Sequence, residues 1–446
     1  MHEWVCAICL GILAPLHAIA QEIDRPYAAL FDTSGLRSSP HEARQLRSTI
    51  ENEKKQQVDK CESGEKRLRA QLDSARYGLK KLNDAAPHDN RDMALSRDRL
   101  HNNIAALEQN LRDKKRECEH FIPAEFEIKL TKAHLLEHWP DRRAHTIRKI
   151  EEGRARERKH GDIDDIGYRK LVDDQEKDIA IGQQAVRQIT LSKLGPVEVP
   201  DPVVRQYVQN LAEAIVRNSD LRTPLHVTVL ESPEVSAIGL PGGFLLITSG
   251  LLLVSQSEAE LAGIISQQIA HIAARHATRT SKRSIISKMF VPAAQVATGL
   301  LTGGVSNAGV YYGMNYGFQG MGLLVDRALV SFNASAQKEA DQLGIQYAWK
   351  AGFDPKGFIM FLDSMAKEKQ FLKTDSFFLT KPSLEERLLD AFTEIQYLPP
   401  KEGYIVDTAE FREARQRLLS SFKAEGAGKL EIGRKPISNP KSEISN

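Results

Sequence analysis

The chain has almost no excess of either charge: 61 Lys plus Arg stand against 59 Asp plus Glu over 446 residues, a net charge of +2. That balance gives no general attraction for nucleic acid or an acidic membrane, so nucleic acid is not expected as a partner. The locally basic run from Arg142 to Lys159 is interrupted by Glu151, Glu152 and Glu157 and reads as a solvated helix face. Long apolar runs are also lacking beyond the first twenty residues. The run Ser236 to Val254 contains Pro241-Gly242-Gly243, which breaks a helix and marks a tight turn, so it does not read as a transmembrane span. Cysteine is scarce, at four residues, and there are no internal repeats.

The first twenty residues differ in kind. Trp4 to Ala20 is apolar and ends in Ala18-Ile19-Ala20 before Gln21, which reads as a signal peptide over 1–20, although no Lys or Arg precedes the apolar core. An uncleaved anchor is the alternative, but 17 residues broken by Pro15 and His17 are short for a span. Export would place the mature chain in the periplasm or another oxidising compartment, where Cys61 and Cys118 could form a disulfide.

Length allows two or three domains, and an apolar content of 41% can fill an ordinary core. Residues 21–121 read as a coiled-coil-like antiparallel helical hairpin. Leu68, Leu72, Ala75, Leu79 and Leu82 keep a helical beat, and Leu100, Ile104, Leu107 and Leu111 resume it after a break that contains Pro87. With the turn near residue 87, ideal helices leave Cys118 roughly 7 to 8 Å past Cys61, too far for a relaxed disulfide. A break at Ser63-Gly64 would absorb the offset; two unpaired thiols are the alternative.

Residues 122–174 read as a charged helical connector with weak periodicity, and 175–398 as a compact α+β domain, mainly helical with a small sheet. His226 to Leu230 alternates as a strand, and Ala237 to Leu240, Pro-Gly-Gly and Phe244 to Thr248 form a hairpin. Residues 399–446 read as a polar tail, rich in Gly, Ser, Lys and Asn after Ala424.

The stretch "ISQQIAHIAARH" (Ile265 to His276) sits on a helix opened by the capping box Ser257-Glu-Ala-Glu260. A zinc protease needs two His at i and i+4 on one helical face, with a Glu beside the first to act on the metal-bound water. Here Gln267 holds the first position and Gln268 the second, and only His271 remains. Gln268 cannot accept a proton at neutral pH, and Gln267 offers zinc only a neutral amide oxygen. On a continuous helix His276 would point about 140° away from His271.

Four segments together resemble the HtpX/BepA-like zinc metallopeptidases, the group that also contains the CAAX prenyl proteases, nearest its soluble periplasmic branch. They are "SPEVSAIGLPGGFLLITSGLL" (Ser232 to Leu252), "SEAELAGIISQQIAHIAARH" (Ser257 to His276), "QKEADQLGIQYAWKAGFDP" (Gln337 to Pro355) and "TKPSLEERL" (Thr380 to Leu388). The resemblance implies a zincin-like domain over about residues 175 to 395. It places the metal ligands at Gln267, His271 and Gln337 and the general base at Gln268, with Asp341 and Lys381 beside the site. Glu339 cannot replace Gln337, since two residues along a helix is a rotation of about 200°. Lys381 stands where the family has His and would oppose a nearby zinc ion. The resemblance also implies that the strand Val235, Ser236, Ala237, Ile238, Gly239 and Leu240 lines the cleft and can pair with an extended peptide; an ordinary edge hairpin is the alternative.

The expectation is therefore a pseudoprotease of the cell envelope, with no catalytic residue and no bound metal, that binds polypeptide or a protein partner through the cleft strand and the helical hairpin. Its Gln residues, His271 and Asp341 would satisfy one another without a metal. The competing expectation is an active zinc endopeptidase of envelope protein quality control with a replacement ligand set; a purely structural coiled-coil protein is a third. Residues 289–324, dense in Gly, Tyr, Phe and Met, read as buried packing, or else as a lid or a partner- or membrane-touching surface.

Overall fold

The computed structural model describes residues 24–35, 39–85, 91–154, 158–169, 171, 175–191, 197–232, 235–279, 334–367 and 383–424. Residues 1–20, which the sequence reading takes as a signal peptide, the segment 289–324, Lys381 and the chain after Ala424 lie outside them. After one short α-helical turn at Tyr27–Leu30, the helices in chain order are α1 (Pro40–Ala85), α2 (Arg91–Arg116), α3 (Ile122–Glu151), α4 (Ile179–Leu191), α5 (Pro202–Val216), α6 (Ser249–Val254), α7 (Glu258–Ala273), α8 (His276–Arg279), α9 (Ala334–Lys350), α10 (Gly357–Lys367), α11 (Leu384–Tyr397) and α12 (Ala409–Ala424). The strands are β1 (His226–Leu230), β2 (Ala237–Leu240) and β3 (Phe244–Thr248). This is the mainly helical α+β architecture with a small sheet that the sequence implies. The described residues fall into two compact bodies, one within 1–166, 326–346 and 369–402, the other within 167–325, 347–368 and 403–446. No described helix is long and apolar enough to cross a membrane.

In the first body, α1 and α2 are the arms of an antiparallel hairpin. Arg76 of one meets Glu108 of the other at 2.8 Å, and Cys61 is disulfide-bonded to Cys118 with Cα atoms 5.5 Å apart. The sequence pattern places the compensating irregularity at Ser63-Gly64, but α1 runs unbroken through both residues. The irregularity is on the other arm, where Glu117–Phe121 is a π-helical turn containing Cys118. A π turn carries one extra residue and so rotates the helix beyond it.

The second arm stays helical from Arg91 through that turn to Glu151, so α3 continues it. The helix α3 packs against both α1 and α11. Phe126, Ala133, Leu135, Leu136 and Trp139 are buried. Two partners need two apolar stripes, which is why one clean periodicity is missing from this segment. Trp139 lies 5.7 Å from Phe31 and 5.1 Å from Phe392, centroid to centroid, and its indole N–H donates to the Phe31 carbonyl at 2.9 Å.

In the second body the strand order is β1-β3-β2, with β1 parallel and β2 antiparallel to β3. The Pro-Gly-Gly turn forms as expected. Gly242 and Gly243 take φ of 77° and 93°, values that other residues rarely adopt, and a Cβ at Gly242 would fall 2.4 Å from the Ile179 Cα. The helix α12 lies in the segment read as a polar tail, yet Phe411, Ala414 and Leu418 are buried. Their spacing is a narrow helical stripe set among charged and amide residues.

Candidate functional site

The helix α7 begins where the capping box places it: the Ser257 hydroxyl accepts from the Glu260 N–H at 3.3 Å, and Glu260 accepts from the Gln256 N–H at 2.9 Å. The helix packs against β2 at Gly239, where a Cβ would lie 2.7 Å from the Gln268 backbone oxygen and 2.8 Å from Ile272 Cγ1. A strand and a helix this close require a residue without a side chain.

That closeness fixes Gln268. Its Oε1 accepts from the Gly239 N–H at 3.0 Å, and its Nε2 donates to Gln267 Oε1 at 3.2 Å. The Gly239 donor dictates which end of the amide is oxygen, and the assignment then suits Gln267 as well. The two glutamines at the ligand and base positions are thus bonded to each other. His271 and Gln267 are both buried.

His271 meets a residue that helical spacing alone turns away. The helix α7 ends at Ala273, Arg275 takes a φ of 56°, and α8 starts at His276. The 140° offset assumes a helix continuing through His276. With the chain reversed at Arg275, His276 Nδ1 comes to 2.9 Å from His271 Nδ1, and the rings stand edge to face at 4.9 Å. The left-handed conformation of Arg275 is held by its guanidinium, which bonds both Asp178 oxygens at 2.7 and 2.8 Å. The Gln175 amide closes the helix end by donating to the Ala273 carbonyl at 2.8 Å. One clue to this break lies in the sequence: Ala273-Ala274-Arg275-His276 offers no apolar residue larger than Ala at the helical repeat.

The other positions that the resemblance assigns to the site belong to the first body. Gln337 Nε2 donates to Asp341 Oδ1 at 3.2 Å. Arg387 of α11 grips Asp341 through two bonds, 2.7 Å to Oδ2 and 3.0 Å to Oδ1, and both side chains are 3% exposed. Glu339 stands 3.9 Å from His160 Nδ1 instead. Sequence reasoning does not single out Arg387, although it lies within one of the four motifs. The signal that could have found it is a charged residue on the stripe Leu384, Leu388 and Ala391, where burial demands a counter-charge. Gln267, Gln268 and His271 belong to the second body.

The residues do not fit the zinc ion that the resemblance implies. Of three ligand positions only His271 carries an imidazole; Gln267 oxygen already accepts from Gln268, and Gln337 supplies a neutral amide turned to Asp341. Neutral amides are poor zinc donors beside imidazole and carboxylate. Among the described residues, no three His, Cys, Asp or Glu side chains are gathered to hold a metal.

The strand β2 is an edge of the sheet among the described residues. The Thr248 N–H donates to the Ser236 carbonyl at 3.1 Å, so Ser236, Ile238 and Leu240 bond inward to β3, while Val235, Ala237 and Gly239 turn their backbone groups outward. Ser236, Ile238, Gly239 and Leu240 are buried; Val235 and Ala237 are half-buried. One outward donor, the Gly239 N–H, is taken by Gln268.

Residues 202–394 match the model of peptidase family M48, a range that takes in all four motifs of the resemblance. The chain is 27% identical over 252 residues to the beta-barrel assembly-enhancing protease of Yersinia pestis, covering 56% of this chain and 50% of that one. It is 28% identical over 263 residues to a putative beta-barrel assembly-enhancing protease of Vibrio cholerae, covering 58% and 52%. A mitochondrial metalloendopeptidase of Schizosaccharomyces pombe is 27% identical over 223 residues, covering 49% and 59%. The chain spans about half the length of the first of these relatives.

Proposed function

Because the chain carries, over residues 202–394, a domain of peptidase family M48, we propose that it keeps the family's polypeptide-binding surface without its chemistry. It is a pseudoprotease of the cell envelope that binds an extended polypeptide or a protein partner. The observation that carries this reading is the pairing of Gln267 with Gln268 and of Gln268 with the Gly239 N–H: the first ligand position and the base position hold two bonded amides, neither of which can take a proton from water. The outward backbone groups of Val235 and Ala237 are the first to receive a peptide strand, and pairing extends to Gly239 only when Gln268 releases its N–H. The helical hairpin is the second contact surface.

The test is a binding titration with a fluorescent unfolded polypeptide, alongside a cleavage assay on the same substrate. Saturable binding without cleavage supports the reading. Cleavage abolished by a chelator, or no binding at any concentration, overturns it.

A further inference from the structure

The segment 24–35 precedes α1 and holds only short helical turns, Tyr27–Leu30 among them. Phe31 continues the helical conformation as the C-cap of that turn, so Tyr27, Leu30 and Phe31 stand at i, i+3 and i+4, the spacing by which an amphipathic helix lays its anchors into a groove. Tyr27 and Leu30 are buried. Phe31 stacks on Trp139 of α3 at 5.7 Å and meets Phe392 of α11 edge-on at 5.6 Å. Lys132 Nζ lies 5.4 Å from the centre of the Tyr27 ring, and the Arg143 guanidinium donates to the Thr33 hydroxyl at 3.2 Å. Lys132, Trp139 and Arg143 thus meet Tyr27, Phe31 and Thr33 in the same order, and the segment runs parallel to α3 along about 16 Å of that helix. All of these residues lie in the first body.

We propose that the cleft between α3 and α11 is a recognition site for a short helical segment of a partner polypeptide, with aromatic-x-x-Leu-aromatic anchors followed two residues later by a carboxylate, and that residues 27–33 occupy it in cis. The chain's own segment is an incomplete ligand. Arg143 Nε is buried with no hydrogen-bond partner among the described residues, and Thr33 offers a single hydroxyl to a guanidinium whose fork suits a carboxylate. The neighbouring carboxylate, Asp32, is exposed and accepts from the Ser34 N–H at 3.0 Å. A buried donor left unmatched costs more than the bond it forgoes, so a partner with Asp or Glu at the Thr33 position binds the cleft better, group for group. Attachment to the same chain offsets that deficit. A tethered segment competes at an effective concentration that is roughly millimolar, and the charge-assisted bonds to Arg143 are what let a partner displace it.

The test uses the full chain and a fluorescein-labelled synthetic peptide of residues 24–35, made with the natural sequence and with Thr33→Glu, its affinity read by anisotropy. Phe31→Ala in the chain removes the central anchor of the cis segment and should tighten binding of either peptide by about tenfold or more. The Thr33→Glu peptide should bind that variant about tenfold tighter than the natural-sequence peptide, and Arg143→Gln added to Phe31→Ala should abolish the difference. Thr33→Glu in the chain itself keeps every anchor and should raise the Tm. No peptide binding to a Phe31→Ala chain that retains its helical circular dichroism, equal affinity for the two peptides, or a difference that survives the loss of Arg143 would overturn the proposal. If Phe31→Ala does not fold, the Thr33→Glu chain decides, and a Tm no higher than the parent's overturns it. Peptide pairing with the edge of β2 involves neither Phe31 nor Arg143, so that reading stands or falls separately.

Discussion

His271 and His276 face each other through their Nδ1 atoms at 2.9 Å, five positions apart in sequence, because the helix between them ends and Arg275 reverses the chain. The residue that resembles a surviving zinc ligand is thereby bonded to a second imidazole. The reversal depends on Arg275 and Asp178.

Arg275→Ala should destabilise the chain by about 3 kcal/mol, because it strands the buried Asp178 carboxylate, leaving it the weaker, uncharged Thr278 hydroxyl as a donor. Urea unfolding of the variant and parent measures this. A change under about 0.5 kcal/mol, the size of an ordinary surface substitution, would show that the ion pair does not hold the turn.

Asp341→Ala leaves the Arg387 guanidinium buried without its bidentate partner and should cost about 3–5 kcal/mol. The double variant Asp341→Leu with Arg387→Met removes both charges and should recover most of that loss. Unfolding free energies of the two variants decide it; a double variant as unstable as the single one would contradict the account.

Acid should loosen the first body. The His134 pKa is held near 4 by burial and by His138, below its ordinary value near 6.5, so the unfolded chain takes up a proton that the folded chain refuses. Stability therefore falls as pH drops from about 6.5 towards 4. Replacing the imidazole in His134→Gln should flatten that slope in Tm measured against pH, and an unchanged slope would refute the assignment.

Gln268→Ala uncovers the Gly239 N–H on the outer edge of β2. One additional backbone hydrogen bond is worth about 0.5–1.5 kcal/mol net, so an extended peptide should bind roughly two- to tenfold tighter. Gly239→Ala should act oppositely, weakening peptide binding and costing about 1–3 kcal/mol of stability as the new methyl meets the Gln268 carbonyl and Ile272. Fluorescence anisotropy with the same peptide reads both, and unaltered affinity in Gln268→Ala would sink the edge-strand reading.

Local signals made much of this legible. Ser257 and Glu260 announced the start of α7, Pro241-Gly242-Gly243 announced the turn, and the leucine beat over residues 68 to 82 announced an arm of the hairpin. The residues that escaped reading are those whose reason lies in a distant partner. Arg275 leaves the helical conformation because Asp178 is there to hold it, and no periodicity around residue 275 contains that fact. Arg387 is tolerable on an apolar stripe only because Asp341 faces it. The helix α3 shows weak periodicity because it serves two neighbours. The identities of the residues at the positions the resemblance assigns to the site were plain in the sequence; the bonds that Gln267, Gln268 and His271 make were not, since they depend on how strand and helix meet and on where α7 ends.

The measurement that tests the central claim most directly is the zinc content of the purified chain, taken with a casein cleavage assay run with and without chelator. The account predicts no bound zinc and no chelator-sensitive cleavage. Stoichiometric zinc that disappears on His271→Ala, together with chelator-sensitive cleavage, would contradict it.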